Sequence, residues 1–303
     1  MKNDNAIQGH GAVIFTILVW GTTFISTKIL LIDFKPIEIL FYRFCLGFVV
    51  LLAVYPRWLK LRSVKEELFY AAAGLCGVTL YYLAENIALT LTTASNVGVI
   101  VSVAPLFTGI LANFLLAGEK PKAAFFIGFF TAILGVILIS FNKDASLKFN
   151  GAGDLLAVLA ALVWAVYSIL SRKISQFGYN TIQTTRRIFF YSLILMIPPL
   201  FIFHFEPGLE RFLLPLNIFN ILFLGLGASA LCFVTWNFAV KVLGAVRTSV
   251  YIYAIPVVTV VTSAIVLHEK VTWMLASGTL LILAGLFISE RKAVAVKKEQ
   301  YTP

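Results

Sequence analysis

The stretch NIALTLTTASNVGVIVSVAPLFTGILANFLLAG, residues 86–118, carries no charged residue and consists mainly of aliphatic, aromatic and small side chains. A helix needs roughly 20 predominantly apolar residues to cross the hydrocarbon core of a bilayer. Residues 212–240 and 248–267 are also free of charge and are long enough by the same criterion. These three stretches indicate a protein that is embedded in a lipid bilayer.

The composition of the whole chain supports this interpretation. Of its 303 residues, 60% are hydrophobic and 13% are charged, whereas a soluble domain has about 25% charged residues. The net charge of +10 comes from basic residues near the ends of apolar segments, where membrane topology explains them, so nucleic-acid binding is not expected. The three cysteines lack the spacing of a zinc site, and the sequence predicts neither a metal nor a cofactor.

Apolar runs bounded by charges, Pro and Gly predict an all-α membrane protein with ten transmembrane helices. These helices are expected at residues 11–32, 36–55, 68–90, 93–116, 122–141, 152–174, 181–203, 217–240, 245–267 and 272–290. Basic residues concentrate on the cytoplasmic side of a membrane protein. If both termini are cytoplasmic, the outer face receives only Lys28, Lys35, Arg43, Lys143, Lys148, Arg211 and Lys270 of the 24 Lys and Arg residues. We therefore expect a multi-pass protein of the cytoplasmic membrane with both termini inside the cell.

The two halves of the chain are related to each other. A shift of 144 residues superposes Trp20 on Trp164 and Arg43 on Arg187, a shift of 151 superposes Asn86 on Asn237 and Pro105 on Pro256, and a shift of 150 superposes Gly128 on Gly278 and Gly135 on Gly285. The pairs predict a first repeat at residues 1–147 and a second repeat at residues 148–303, which ends in a short basic cytoplasmic tail. Because five helices is an odd number, the second repeat would enter the bilayer from the opposite side. Such inverted repeats are typical of alternating-access transporters.

Short motifs occur in the same order in both halves. The first half contains Trp20-Gly21, Ala88-Leu89, Thr93-Ala94-Ser95, Pro105, Gly118-Glu119-Lys120, Gly128 and Gly135, and the second contains His268-Glu269-Lys270, Gly278 and Gly285. In these residues the chain resembles the ten-helix EamA-like branch of the drug/metabolite transporter superfamily. The resemblance implies two inverted five-helix repeats around a central cavity that opens alternately to each side, and the export or uptake of small metabolites.

The expected function is secondary active transport of a small metabolite across the cytoplasmic membrane, with export as the direction and an amino acid or organic cation as the favoured substrate. The chain contains no G-x-x-x-x-G-K-[ST] motif, so ATP is not expected to drive transport through it. An enzyme is not expected, because His10, His204 and His268 all lie near predicted helix ends. An intramembrane enzyme and a passive channel remain as alternatives. The oligomeric state stays open, although a duplicated monomer already encloses a cavity and need not dimerise.

Glu85 is the acidic residue placed deepest within a predicted helix. Insertion of an acidic side chain such as Asp at the centre of a membrane helix costs ~2.5–3.5 kcal/mol, which favours a functional role. Tyr81 precedes Glu85 by four residues and Tyr82 precedes Asn86 by four, so the four side chains lie on adjoining helix faces. We expect them to bind a cationic amine or a coupling proton. The alternative is a neutral, structural Glu85 buried against Tyr or Asn.

Aromatic residues are predicted to line the same cavity. They can stack on a ring or surround a cation, although packing and lipid-facing belts are the usual roles of such residues. The predicted substrate-binding set therefore also includes Asn237, which is the repeat equivalent of Asn86, and the aromatic residues Trp20, Trp164, Tyr167, Trp236, Tyr251 and Tyr253.

Proline and arginine residues mark two further features of the predicted helices. Pro105 and Pro256 each remove a backbone hydrogen bond near the middle of a predicted helix and are expected to act as a pair of hinges, or else as static bends. Arg187 is expected to extend its side chain to the lipid headgroups. For Arg43 this role and the attraction of an anionic substrate group are both open.

Overall fold

The computed structural model describes residues 2–92, 94–118, 121–140, 151–266 and 273–299. Within these ranges the chain is helical and contains no β-strand. The α-helices are α1 (Lys2–Leu30), α2 (Pro36–Val54), α3 (Val64–Leu91), α4 (Ala94–Val101), α5 (Ala104–Leu115), α6 (Ala123–Ser140), α7 (Gly151–Ser175), α8 (Thr181–Leu195), α9 (Ile197–Ile202), α10 (Pro215–Leu243), α11 (Ala245–Val250), α12 (Ile255–Val266) and α13 (Trp273–Glu299). Helix α3 includes the π-helical turn Leu75–Leu80 and α10 the π-helical turn Phe223–Leu231, while Leu209–Leu213 and Tyr251–Ala254 are 3₁₀ turns.

Five helices of the described residues are long and apolar enough to cross a membrane, judged by their length and composition. Their apolar parts are Asn5–Leu30, Pro36–Val54, Val64–Leu91, Gly151–Ser175 and Pro215–Leu243. Shorter apolar helices cover Ala104–Leu115, Ala123–Gly135, Ala245–Thr259 and Ala276–Ser289. This all-helical architecture fits the membrane protein that the sequence predicts.

The structure interrupts three of the predicted helices close to a proline. The predicted helix 93–116 is divided at Ser102 and Val103, immediately before Ala104 and Pro105. The predicted helix 245–267 passes through the 3₁₀ turn Tyr251–Ala254 before Pro256, and 181–203 is broken at Met196 before Pro198. Proline lacks an N–H donor and disfavours the α conformation of the preceding residue, so a helix tends to restart with proline in its first turn.

Several predicted features lie outside the described residues. They are the junction of the two predicted repeats at residues 147 and 148, Thr93, the motif residues Glu119-Lys120 and His268-Glu269-Lys270, and the last residues of the basic tail. The part of this tail that is described, up to Glu299, continues helix α13 beyond the predicted end at residue 290.

Helices α6 and α13 pack closely through glycines. A β-carbon added to Gly128 would lie 2.5 Å from the carbonyl oxygen of Gly285, and one added to Gly135 would lie 2.5 Å from that of Gly278. Small residues of this kind let two membrane helices approach each other closely. Because the later glycine of α6 meets the earlier glycine of α13, the two helices run antiparallel.

Close glycine contacts also join α3 to α8 and α10 to α2. A β-carbon on Gly74 of α3 would lie 2.7 Å from the carbonyl oxygen of Ile188 in α8, and one on Gly225 of α10 would lie 2.6 Å from Cδ2 of Leu46 in α2. Gly74 and Gly225 correspond under the shift of 151, and α2 and α8 correspond under the shift of 144. A glycine of each predicted repeat therefore packs against the corresponding helix of the other repeat.

Two corresponding cations cap the ends of α3 and α10. Lys28 donates hydrogen bonds from Nζ to the carbonyl oxygens of Leu89 at 2.5 Å and Thr92 at 3.2 Å. Arg172 donates from Nη1 to the carbonyl oxygens of Val240 at 3.4 Å and Lys241 at 3.0 Å. The last carbonyls of a helix lack partners within it and carry a partial negative charge, so a cation there stabilises the helix end.

Candidate functional site

A pocket lies among α1, α3, α4, α7 and the junction between the 3₁₀ turn Tyr251–Ala254 and α12. The space between its lining atoms is about 380 Å³ when the solvent at its open mouth is counted. The lining residues are Trp20, Thr23, Phe24, Tyr81, Tyr82, Glu85, Val101, Trp164, Ile252 and Ile255. The pocket thus combines residues from both predicted repeats with one acidic side chain among aromatic and aliphatic ones.

Glu85 provides that acidic side chain. The residue is only 3% exposed, and its Oε2 atom has no hydrogen-bond partner within the described part of the chain. The phenol of Tyr81, one helical turn earlier, interacts with the same carboxylate. A buried polar group without a partner costs roughly 1–3 kcal/mol, and a charged group costs more. The open oxygen therefore favours a cation or a proton as its partner in the pocket.

Aromatic rings surround this carboxylate. The rings of Trp20 and Trp164 meet edge to face with 5.2 Å between their centroids, and Tyr81 lies 4.8 Å from Trp164. The indole Nε1 of Trp20 donates to the carbonyl oxygen of Ala228 at 2.9 Å, which fixes the orientation of that ring. Trp236 packs against the same rings, 5.2 Å from Trp20 and 5.5 Å from Trp164, but it is fully buried and does not line the pocket.

Asn237 and Tyr167 belong to a separate buried hydrogen-bond network. The Oδ1 atom of Asn237 accepts from the hydroxyls of Tyr167 and Ser171, each at 2.7 Å. Its Nδ2 atom donates to Thr185 Oγ1 at 3.0 Å. This network joins α7, α8 and α10. The side chain of Asn237 is thus engaged in holding these helices together.

Three other predicted substrate-binding residues lie away from the pocket lining. Asn86 donates from Nδ2 to the carbonyl oxygen of Pro36 at 3.1 Å and so connects α3 to the start of α2. The hydroxyl of Tyr251 lies 2.6 Å from Nδ1 of His10. Tyr253 is buried in a cluster with Phe129 and other residues of α6 and α13. Of the predicted set, Trp20, Tyr81, Tyr82, Glu85 and Trp164 are the members that the structure brings together around the pocket.

The two arginines at equivalent repeat positions have different surroundings. Arg187 forms an ion pair with Glu67, and the expectation that its side chain extends to the headgroups stays a prediction. Arg43 is buried at 1% exposure and donates from Nε to Ser229 Oγ at 2.9 Å. Its guanidinium carbon lies 4.2 Å from the ring centroid of Tyr82, which lines the pocket. Burial of Arg43 was not predicted, because its position near a helix end also suits an extended, lipid-facing side chain.

Thr23, Phe24, Val101, Ile252 and Ile255 line the pocket without having been predicted. Apart from Thr23, whose hydroxyl donates to the carbonyl oxygen of Trp20, these residues are apolar. Apolar residues face lipid, core and cavity alike, so nothing in their sequence context separates these roles. The described residues contain no group of three or more His, Cys, Asp and Glu side chains that could hold a metal ion.

Comparison with known proteins places the chain in a transporter family. It is 29% identical over 293 residues to an uncharacterized transporter of Archaeoglobus fulgidus, covering 93% of this chain and 97% of the relative. It is 28% identical to the uncharacterized transporter YyaM of Bacillus subtilis, covering 95% of each chain. A probable terminal-alkyne amino-acid exporter of Streptantibioticus cattleyicolor is 23% identical, covering 100% of this chain and 99% of the relative.

A solved structure supports the same fold. The chain superposes on a crystal structure with a TM-score of 0.73 at 21% identity, and the match covers 98% of this chain and 99% of the other. The model of the EamA-like transporter family matches twice, at residues 7–141 and 151–290. The chain therefore belongs to the EamA-like transporter family, within the drug/metabolite transporter superfamily, and is a multi-pass membrane transporter.

Proposed function

We propose that this protein is a secondary active transporter that exports a small, amine-bearing metabolite across the cytoplasmic membrane by alternating access. The observation that carries the proposal is the open Oε2 atom of Glu85 in a pocket walled by aromatic rings. Family membership supports transport in general, and this pocket supports the chemical class of the substrate.

An ammonium group suits this pocket for two reasons. It can donate a charge-assisted hydrogen bond to the carboxylate of Glu85, and such bonds are roughly twice as strong as neutral ones. The faces of Trp20, Tyr81 and Trp164 attract cations, by an estimated 2 kcal/mol or more where the cation has lost its water. Amino acids and organic cations carry such a group, and one relative is named as a probable terminal-alkyne amino-acid exporter.

We propose further that the helices form two inverted five-helix repeats, with ten spans in all. The two successive family matches support the duplication. The reciprocal glycine contacts of α6 with α13 support a two-fold relation, since a two-fold axis makes residue i of one copy meet residue j of the other and vice versa. Because α6 and α13 run antiparallel, this axis is perpendicular to both helices. For membrane-spanning helices, such an axis lies in the membrane plane.

Polar contacts near both ends of the bundle connect the two predicted repeats. On the proposed outer side, Arg211 Nη1 lies 2.6 Å from Oε2 of the fully buried Glu38 side chain, and Lys35 Nζ lies 2.7 Å from Glu206 Oε1. On the proposed cytoplasmic side, Arg187 binds Glu67. Alternating access then requires one of these two sets to open while the other stays closed. Pro105 and Pro256 lie at helix junctions, where a change of angle breaks few further hydrogen bonds.

The proposal is tested by solute counterflow in proteoliposomes that contain the purified full-length chain. A panel of amino acids and organic cations should include solutes with saturable counterflow that Glu85→Gln reduces at least tenfold. Glu66→Gln, on the same helix but bonded to Tyr179 away from the pocket, is the matched control and should transport normally. Linear, unsaturable flux would instead indicate a channel, and chemical change of the solute would indicate an enzyme. Unaltered counterflow by Glu85→Gln would refute the role of the carboxylate.

A further inference from the structure

Arg43 of α2 is a buried cation whose hydrogen-bonding capacity is only partly used. Its Nε atom donates to Ser229 Oγ, whereas Nη1 and Nη2 have no hydrogen-bond partner among the described residues. The guanidinium also rests against the rings of Tyr82 and Phe44, with 4.2 Å and 5.3 Å between its central carbon and the ring centroids. A buried charge that is left without partners is strongly destabilising, so a free pair of donors at 1% exposure requires an explanation.

The two free nitrogens have the geometry for binding a carboxylate. Nη1 and Nη2 form the planar end of the guanidinium, which can donate two parallel hydrogen bonds to the two oxygens of one carboxylate. The bond from Nε to Ser229 leaves this end free and restricts rotation of the group. The repeat-equivalent Arg187 also binds a carboxylate through two nitrogens, although it donates from Nε and Nη2 to the two oxygens of Glu67.

Arg43 and Glu85 both lie near Tyr82 but do not pair with each other. Tyr82 contacts the guanidinium of Arg43 and precedes Glu85 by three residues on α3, so it shares a helix face with Glu85. The two charges interact electrostatically, but no salt bridge within 4.0 Å joins these described residues. The pocket region therefore holds one open acceptor and one open pair of donors, of opposite charge.

We propose, on the basis of the proposed function, that Arg43 and Glu85 together select a zwitterionic substrate, the free α-amino acid. The ammonium group binds Glu85, and the carboxylate binds Nη1 and Nη2 of Arg43 once the ring of Tyr82 turns aside. A simple amine would leave the buried guanidinium without partners, and a simple carboxylate would be repelled by Glu85. An amino acid satisfies both buried groups at once, and its own two charges neutralise them.

Paired ligands in a binding measurement test this assignment. The thermal stability of the purified protein in detergent is measured with each of the common amino acids and with the amine formed by its decarboxylation. For the amino acids that stabilise the wild-type protein, we expect binding at least tenfold tighter than for the matched amine. Arg43→Gln should remove this preference, because it weakens binding of the amino acid without weakening binding of the amine. Arg187→Gln, at the equivalent position and paired with Glu67, should keep the preference.

The outcomes separate this inference from the proposed function. Equal binding of amines and amino acids by the wild-type protein overturns the zwitterion inference and leaves the transport of amines standing. A preference that persists in Arg43→Gln overturns the role of Arg43. If the Gln variant does not fold, Arg43→Lys retains the charge but not the planar fork, and it should weaken binding of the amino acid alone. Binding of neither ligand class overturns the inference and removes the support for an amine substrate as well.

Discussion

The glycine contact between α6 and α13 leads to a prediction about stability. Replacing Gly128 with Ala places a β-carbon 2.5 Å from the carbonyl oxygen of Gly285 and 2.9 Å from the backbone nitrogen of Ser289. Ordinary van der Waals contact needs 3.4 Å or more, and neither of these backbone atoms can rotate away. The helices must move apart by most of an ångström, and overpacking of this kind typically costs about 1–3 kcal/mol. Alanine returns about 1 kcal/mol through its higher helix propensity. We therefore expect net destabilisation by roughly 0–2 kcal/mol.

The assay is thermal inactivation of the purified protein in detergent, compared among matched variants. Gly11→Ala is the control, because nothing lies within 4 Å of a β-carbon at that position in α1. It gains helix propensity without a clash and should be as stable as the wild type or slightly more so. Gly128→Ala combined with Gly135→Ala should lower the midpoint further than either change does singly, since Gly135 clashes in the same way with Gly278. A double variant as stable as Gly11→Ala would refute the close approach of α6 and α13.

Three further predictions concern polar groups. Arg211→Gln should destabilise the protein by about 3–5 kcal/mol, because it leaves the fully buried carboxylate of Glu38 without its cation. Thermal unfolding at neutral pH measures this loss of stability. A smaller loss than that caused by Glu206→Gln would contradict the prediction. The Lys35 ammonium holds the pKa of the exposed Glu206 below its usual range. The wild type should therefore be slightly more stable than Glu206→Gln at a pH above the ordinary Glu pKa. This difference in stability should vanish as the pH falls through the lowered pKa of Glu206. An advantage that persists at pH 2 would count against this ion pair. Asn237→Ala should lower the unfolding midpoint by several degrees, because it strands buried hydroxyls, and an unchanged midpoint would show that the network is dispensable.

Much of the helical architecture could be predicted from the sequence, because a bilayer imposes length and composition on every span. The predicted ranges are helical over most of their described residues. The four glycines that are related by the shift of 150 all lie in the contact of α6 with α13, where Gly128 meets Gly285 and Gly135 meets Gly278. The π-helical turns Leu75–Leu80 and Phe223–Leu231 were not predicted. They depend on which carbonyl an N–H reaches, and the apolar pattern does not encode this choice.

The candidate site could be predicted only in part, for a different reason. Glu85 and the rings of Trp20, Tyr81, Tyr82 and Trp164 are recognisable because an intramembrane acid and aromatic residues are chemically distinctive. The roles of Asn237 and Arg43 are set by neighbours that lie far away in the chain, such as Thr185 and Ser229. Burial and hydrogen-bond partners of this kind follow from tertiary packing and leave no local pattern.

Alternating access is tested most directly by measuring from which side of the membrane the pocket can be reached. In a variant without Cys45, Cys76 and Cys232, Thr23 of the pocket lining is replaced by cysteine and exposed to a membrane-impermeant thiol reagent from either side of oriented vesicles. A carrier whose pocket opens in turn to each side predicts labelling from both sides, with substrate changing the ratio of the two rates. Labelling from one side only, or equal rates that substrate never alters, would contradict transport through this pocket by alternating access.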